Sequence, residues 1–226
     1  MSNSIISLSS LWDNTWIKIG IALILLAGAI LLLVATRRNG IKTNATRRIV
    51  YGAMCVSIAC VLNLFKVNTA VLAGGISGSV TLLRTLPLIL YACTFGAPSG
   101  VIACVAYGLV DMLFGLDASG GIVQVLLDYI VAFGLIGLSG LARNTKQPYL
   151  LGTIIATAGR FCASYVSGAV FFGQYAPEGM NIWVYSLIYQ SITVLPDMLL
   201  VFIVFAFIQR TNVFKQLPLT MLGQQE

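Results

Sequence analysis

Residues 120–143 read GGIVQVLLDYIVAFGLIGLSGLAR. From Ile122 to Ala142 the run is apolar apart from a few short polar side chains and one carboxylate, and about 20 residues of helix span a hydrocarbon core. Arg143 and Lys146 follow it, as basic residues do on the cytoplasmic side of a span. The stretch therefore predicts a membrane helix entering from the outside. Asp128 lies about two turns inside its outer end, with Tyr129 adjacent and Gly134, Gly137 and Gly140 below. A carboxylate at that depth needs a cation or donors. Two readings stand: a counter-ion for a positively charged ligand, or a structural ion pair with Arg160 or Arg84.

Outward from this helix the composition has the same character. The chain has 226 residues, 58% hydrophobic and 9% charged, with a mean hydropathy of +0.94. So few charges cannot coat a water-soluble domain of this size, which predicts an all-α integral membrane protein. Seven spans are expected: Ile17–Ala35, Ile49–Phe65, Thr81–Phe95, Gly100–Phe114, Ile122–Ala142, Leu150–Phe172 and Trp183–Ile208. Ile17–Ala35 carries its basic cluster after the apolar run, at Arg37, Arg38, Lys42, Arg47 and Arg48. That arrangement predicts an uncleaved anchor helix with the N-terminus outside. Seven spans then place the C-terminus in the cytoplasm, where Arg210 and Lys215 fall. The expected division is an anchor and basic linker over 1–46, a six-helix substrate-binding domain over 47–210 and a cytoplasmic tail over 211–226. The net charge of +6 reads as this topology signal rather than as a nucleic-acid surface.

Several chemistries are excluded. The chain has no histidine, which removes Ser/His and Cys/His catalytic pairs and the commonest nitrogen metal ligand. Its five cysteines lie in apolar runs without a CxxC pair, so neither a zinc nor a redox site is indicated. No phosphate-binding loop or kinase-like signature is present. No cofactor is expected, and any active transport must be powered by another protein.

Polar and small residues single out three further segments. The loop Lys66–Val80, KVNTAVLAGGISGSV, is long and Gly/Ser-rich, suited either to a lid or to a plain connector. Ala53 and Ser57, with Ala59 close by, form a small-xxx-small pattern that suits docking of another subunit or internal helix packing. Arg160–Gln190, RFCASYVSGAVFFGQYAPEGMNIWVYSLIYQ, places Arg160, Ser164, Gly168 and Phe172 on one helical stripe. Either Gly168 leaves room for a flat ring with Phe172 stacking near the mouth, or Gly168 and Ser167 mark a close helix crossing. Tyr185, Tyr189 and Gln190 offer directional hydrogen bonds on the last span, to a ligand or to one another. Pro196 and Asp197 predict a kink and a capped or paired carboxylate.

The motifs LLDYIVAFGLIGLSG from Leu126 and SGAVFFGQYAPEGMNIWVYSLIY from Ser167 resemble the thiamine-specific substrate-binding subunits of energy-coupling factor transporters, the ThiT/YuaJ-like family. The resemblance covers Arg48 to Arg210, and the first span is an addition to the family's six-helix core. It implies a non-enzymatic subunit in a prokaryotic plasma membrane that captures thiamine or a relative at the outer face. A transmembrane coupling subunit with two cytoplasmic ATPases would drive uptake. It further implies Asp128 as the anion answering the ligand's charge, Tyr129 and Tyr185 as ligand contacts, Arg160 as the basic residue, and the Lys66–Val80 loop as lid. Ala53 and Ser57 become the docking residues. The family's histidine is Ser164 here, its asparagine is Gln190, and its Trp or Phe is Phe172, so the implied ligand contacts include two altered positions. An S component for another small vitamin, a solitary carrier, and a membrane scaffold or enzyme are the alternatives.

Overall fold

The computed structural model describes residues 45–68, 79–116, 121–177 and 179–209. The expected span Ile17–Ala35 and the tail after residue 210 lie outside the described residues, as does the middle of the expected lid.

The described chain is a bundle of apolar helices: α1 (Ala45–Leu62), α2 (Leu86–Phe95), α3 (Ala97–Phe114), α4 (Ile122–Asn144), α5 (Pro148–Phe171), α6 (Ile182–Thr193) and α7 (Leu195–Ile208). Two three-residue strands, β1 (Lys66–Asn68) and β2 (Ser79–Thr81), pair antiparallel between α1 and α2. Prolines start four of the helices, Pro87, Pro98, Pro148 and Pro196 each standing in a first turn. There the missing N–H costs nothing and the fixed φ favours the helix.

Five apolar helices among the described residues are long enough to cross a membrane: Ala45–Leu62, Ala97–Phe114, Ile122–Asn144, Pro148–Phe171 and the α6–α7 rod Ile182–Ile208. The expected span Thr81–Phe95 is corrected. Thr81 belongs to β2, Leu83 adopts a positive φ of 61°, and only the ten residues of α2 are helical. A branched apolar side chain in the left-handed region is strained, so the helix cannot extend back through Leu83. Where a kink is expected in the last span, the helix is interrupted for one residue, α6 ending at Thr193 and α7 beginning at Leu195.

α4 departs most from a regular helix. A π-helical turn occupies Leu126–Val131 and a 3-10 stretch Gly137–Asn144. Wide π turns inside α-helices accompany functional sites, and this one carries Asp128 and Tyr129. Close packing against α3 depends on glycine: a Cβ on Gly137 would strike the backbone of Val101, and one on Gly108 the carbonyl of Tyr129.

The core joins Leu88, Ile89, Cys104, Tyr107, Phe133, Ile136, Tyr149, Met198, Val201 and Phe205. The Tyr149 and Phe205 rings stack at 5.3 Å, and Tyr107 meets Phe133 edge-on at 5.0 Å. Outward-facing Ile49, Met54, Ile102, Leu113, Ile154 and Phe207 are exposed, which suits a lipid-facing surface. At one end Arg48 donates to Ser99, and Arg143 reaches the α2–α3 turn beside Gly96. We call this the basic end and the opposite one the hairpin end.

Candidate ligand site

Three layers of polar groups lie between the hairpin end and the middle of the bundle. In the first, Asp128 is half-buried on the π turn, and Gln124 Nε2 donates to its Oδ2 at 2.9 Å. The turn spaces Gln124 and Asp128 on one side of α4, so the amide orients the carboxylate. Tyr129 Oη donates to the Gly115 carbonyl at 2.8 Å, tying α4 to the end of α3. Phe172 packs on Tyr175 at 6.1 Å and Tyr185 on Tyr189 at 6.2 Å. These four rings are half-buried or exposed where α5 ends and α6 begins. Asn181 caps α6 by accepting from the Trp183 amide at 2.9 Å.

The second layer is the crossing of α5 with α6. Ser186 Oγ donates to the Tyr165 carbonyl at 2.7 Å, and Gln190 Nε2 donates to the Ser164 carbonyl at 3.1 Å. Thr193 Oγ1 donates to Gln190 Oε1 at 3.3 Å. A Cβ on Gly168 would collide with Ser186 Oγ and crowd Gln190 Nε2. Of the two readings of Gly168, these contacts favour the close helix crossing, with buried Ser167 beside it. The single Thr193 hydroxyl proton also has the Tyr189 carbonyl as an acceptor at 3.0 Å.

The third layer is a cluster of charges that the sequence reading did not assemble. Arg84 and Asp111 form an ion pair at 3.6 Å. Asn63 Nδ2 donates to Asp111 Oδ1 at 2.7 Å while its own Oδ1 accepts from Arg84 Nη1 at 3.2 Å. Thr85 Oγ1 donates to Asp197 Oδ2 at 3.0 Å, and the Leu83 amide also bears on that carboxylate. Arg160, nine-tenths buried, lays its guanidinium over the Phe133 ring at 4.7 Å; Arg84 approaches the same ring at 5.2 Å. Such stacking partly offsets a desolvated cation. Asp197 and Asp111 are the carboxylates whose charge Arg160 feels.

The structure thus separates residues that one helical stripe had grouped. Ser164 and Gly168 belong to the α5–α6 crossing, and Phe172 lies beyond them. Arg160 belongs to the charge cluster, and the ion pair seen there joins Arg84 to Asp111, not to Asp128. Asp197, expected as a capped or paired carboxylate, makes no cap bond to its own helix and accepts from Thr85 instead. Asp111 and Asn63 were missed; each is a lone polar residue in an apolar run, and that is the only signal either offers.

On the face of α1 turned away from the bundle, Ile49, Val50, Ala53, Met54, Ser57 and Ile58 line a shallow, open, apolar groove of about 500 Å³. Ser57 Oγ donates to the Ala53 carbonyl at 2.8 Å, so the groove offers almost no free polar group. Ala59 points inward and is fully buried.

Irregular apolar helices around buried polar and aromatic side chains define a multi-pass membrane protein. Sequence comparison names the kind. The chain belongs to the thiamine transporter protein (Thia_YuaJ) family, whose model matches residues 49–216. It is 34% identical over 140 residues to the thiamine transporter ThiT of Bacillus subtilis, covering 56% of this chain and 72% of that one. It is 31% identical over 119 residues to ThiT of Lacticaseibacillus paracasei, covering 46% and 59%. A solved structure of ThiT from Listeria monocytogenes superposes with a TM-score of 0.59 over 74% of this chain and 97% of that one, at 22% identity. The family is one of transporters, not enzymes. Its match begins at residue 49, so the first expected span lies outside it.

Proposed function

We propose that the chain is the substrate-binding subunit of a thiamine importer, capturing thiamine or a close relative from outside the cell. The observation that carries this reading is Asp128: a carboxylate held by Gln124 on a π turn near the hairpin end, with the Tyr129, Phe172 and Tyr185 rings as the aromatic part of the site. A thiazolium is a flat cation. A carboxylate supplies its counter-charge and rings supply stacking surface. The hairpin end faces outside in this reading and the basic end faces the cytoplasm, which follows the placement of Arg47, Arg48 and Arg143. Residues 47–210 form the binding domain, 1–46 an added anchor and 211–226 a tail.

The open groove at Ala53 and Ser57 is the docking face for a transmembrane coupling subunit, which joins the chain to two ATPases. Small side chains let a partner helix approach closely. Arg160, Ser164 and Gln190 act from beneath the ligand, and Gly168 sets the helix spacing that positions them.

The test is Asp128→Asn. Losing a charged acceptor costs about 1.5–3 kcal/mol, so the thiamine Kd should rise at least tenfold while the melting temperature of the unliganded protein holds. An unchanged Kd would remove Asp128 from the site.

A further inference from the structure

Charge is distributed unevenly along the bundle. Among the described residues the basic end carries Arg47, Arg48, Arg143 and Lys146, whereas the carboxylates Asp111, Asp128 and Asp197 belong to the first and third layers. Two of these cations are built into the fold. Arg48 is half-buried at the start of α1, and Tyr91 Oη fixes its backbone by donating to its carbonyl at 2.9 Å. Its guanidinium turns inward, away from the α1 groove, and donates to Ser99 Oγ. A guanidinium carries five N–H donors, and this contact uses one side of the fork. Arg143, also half-buried, comes to the same turn from α4. A Cβ on Gly140 would strike the Ala97 backbone, so the end of α4 lies directly on the α2–α3 turn. There Arg143 Nη1 stands 3.3 Å from where a Cβ on Gly96 would be. Gly96 and Ser99 are three residues apart, about 4.5 Å of helix rise. Arginines from α1 and α4 therefore meet over a single turn.

Like charges brought this close repel, and an anion between them relieves the repulsion. The planar forks of two arginines match the oxygens of a phosphate group. The surroundings decide which phosphate. Ile102, one turn beyond Ser99, is 69% exposed, and Leu141, two residues before Arg143, is 42% exposed. Both lie on apolar helices long enough to cross a membrane. A free phosphate gains nothing from such neighbours, whereas a phospholipid lays its acyl chains along them and keeps its headgroup at the bundle end. We infer that Arg48 and Arg143 form a binding site for the phosphodiester of an anionic phospholipid. A zwitterionic lipid carries the same phosphate, but its ammonium group is repelled by the two guanidiniums. The site stands apart from the thiamine reading and needs only that the basic end lie at a membrane face.

The test titrates the purified full-length chain, in a neutral detergent, with dioleoylphosphatidylglycerol, dioleoylphosphatidylcholine or sodium phosphate while the melting temperature is followed. Phosphatidylglycerol should raise it saturably, and the other two should not. Arg48→Gln/Arg143→Gln should raise the half-saturating concentration of phosphatidylglycerol about thirtyfold, each basic residue near an anionic lipid surface contributing roughly fivefold. Arg47→Gln/Lys146→Gln removes the same two charges away from the turn. In about 0.15 M salt, where exposed charges are largely screened, that variant should stay within about threefold of wild type. Equal shifts in the two double variants would mean diffuse attraction and overturn the site, as would equal stabilisation by the two lipids. Stabilisation by sodium phosphate matching that by phosphatidylglycerol would place a free phosphate there and overturn the lipid assignment. If Arg48→Gln/Arg143→Gln does not fold, native mass spectrometry of the wild-type chain decides. From an equal mixture of the two lipids, one phosphatidylglycerol should survive removal of the detergent in preference to phosphatidylcholine, and equal retention overturns the inference.

Discussion

Arg84 and Arg160 show what a single charge demands inside an apolar bundle. Each approaches the Phe133 ring, and Arg84 adds Asp111 and Asn63 as bonded partners. Breaking a buried pair from one side strands the other charge and costs about 3–5 kcal/mol. Arg84→Met should therefore lower the melting temperature by many degrees in a thermal-shift assay, and adding Asp111→Asn should recover much of the loss. If the single variant melts like wild type, the pair is not structural. The sequence made Arg160 conspicuous but not its partners. Asn63, Arg84, Asp111 and Asp197 stand far apart along the chain, and helical spacing relates residues only within one helix. A stripe argument could thus group Arg160 with Ser164 and Gly168 but could not place it over the Phe133 ring.

Helices were legible where apolar runs were long, and illegible where the backbone departs from regular geometry. Thr81–Phe95 has the hydropathy of a span, yet the Leu83 backbone at φ 61° confines the helix to α2. Nothing in composition reports a left-handed leucine. Pro196, in contrast, announced the α6–α7 break because its missing N–H and ring clash are local. The π turn left no signal beyond a polar residue in an odd place. The sequence marks the glycines of α4 only as small, and a close contact at Gly137 makes a sharp comparison with Gly115 at the end of α3. Gly137→Ala drives a methyl into the Val101 backbone and should destabilise by about 1–3 kcal/mol. Gly115→Ala meets nothing within 4 Å and should stay within about 0.5 kcal/mol of wild type. Equal denaturation midpoints for the two would contradict the close α3–α4 approach.

For the molecule as a whole, membrane class and family were both readable from the sequence, because hydropathy and two contiguous motifs carry them. The layering of the interior was not, since it arises from contacts between distant helices. Orientation and docking are properties at this scale. In a background lacking exposed Cys162, a membrane-impermeant maleimide applied to intact cells should label Gly115→Cys and spare Lys146→Cys; the reverse pattern would invert the topology. Ala53→Trp should block uptake into cells while leaving the thiamine Kd of the purified protein unchanged, because the groove is remote from Asp128. Uptake that survives a tryptophan there would place the coupling contact elsewhere. All of these readings depend on the chain holding thiamine within the bundle. Calorimetric titration of the purified protein with thiamine tests that most directly: the account predicts saturable heat with one molecule bound per chain, and a titration without binding heat, accompanied by no thermal stabilisation, would contradict it.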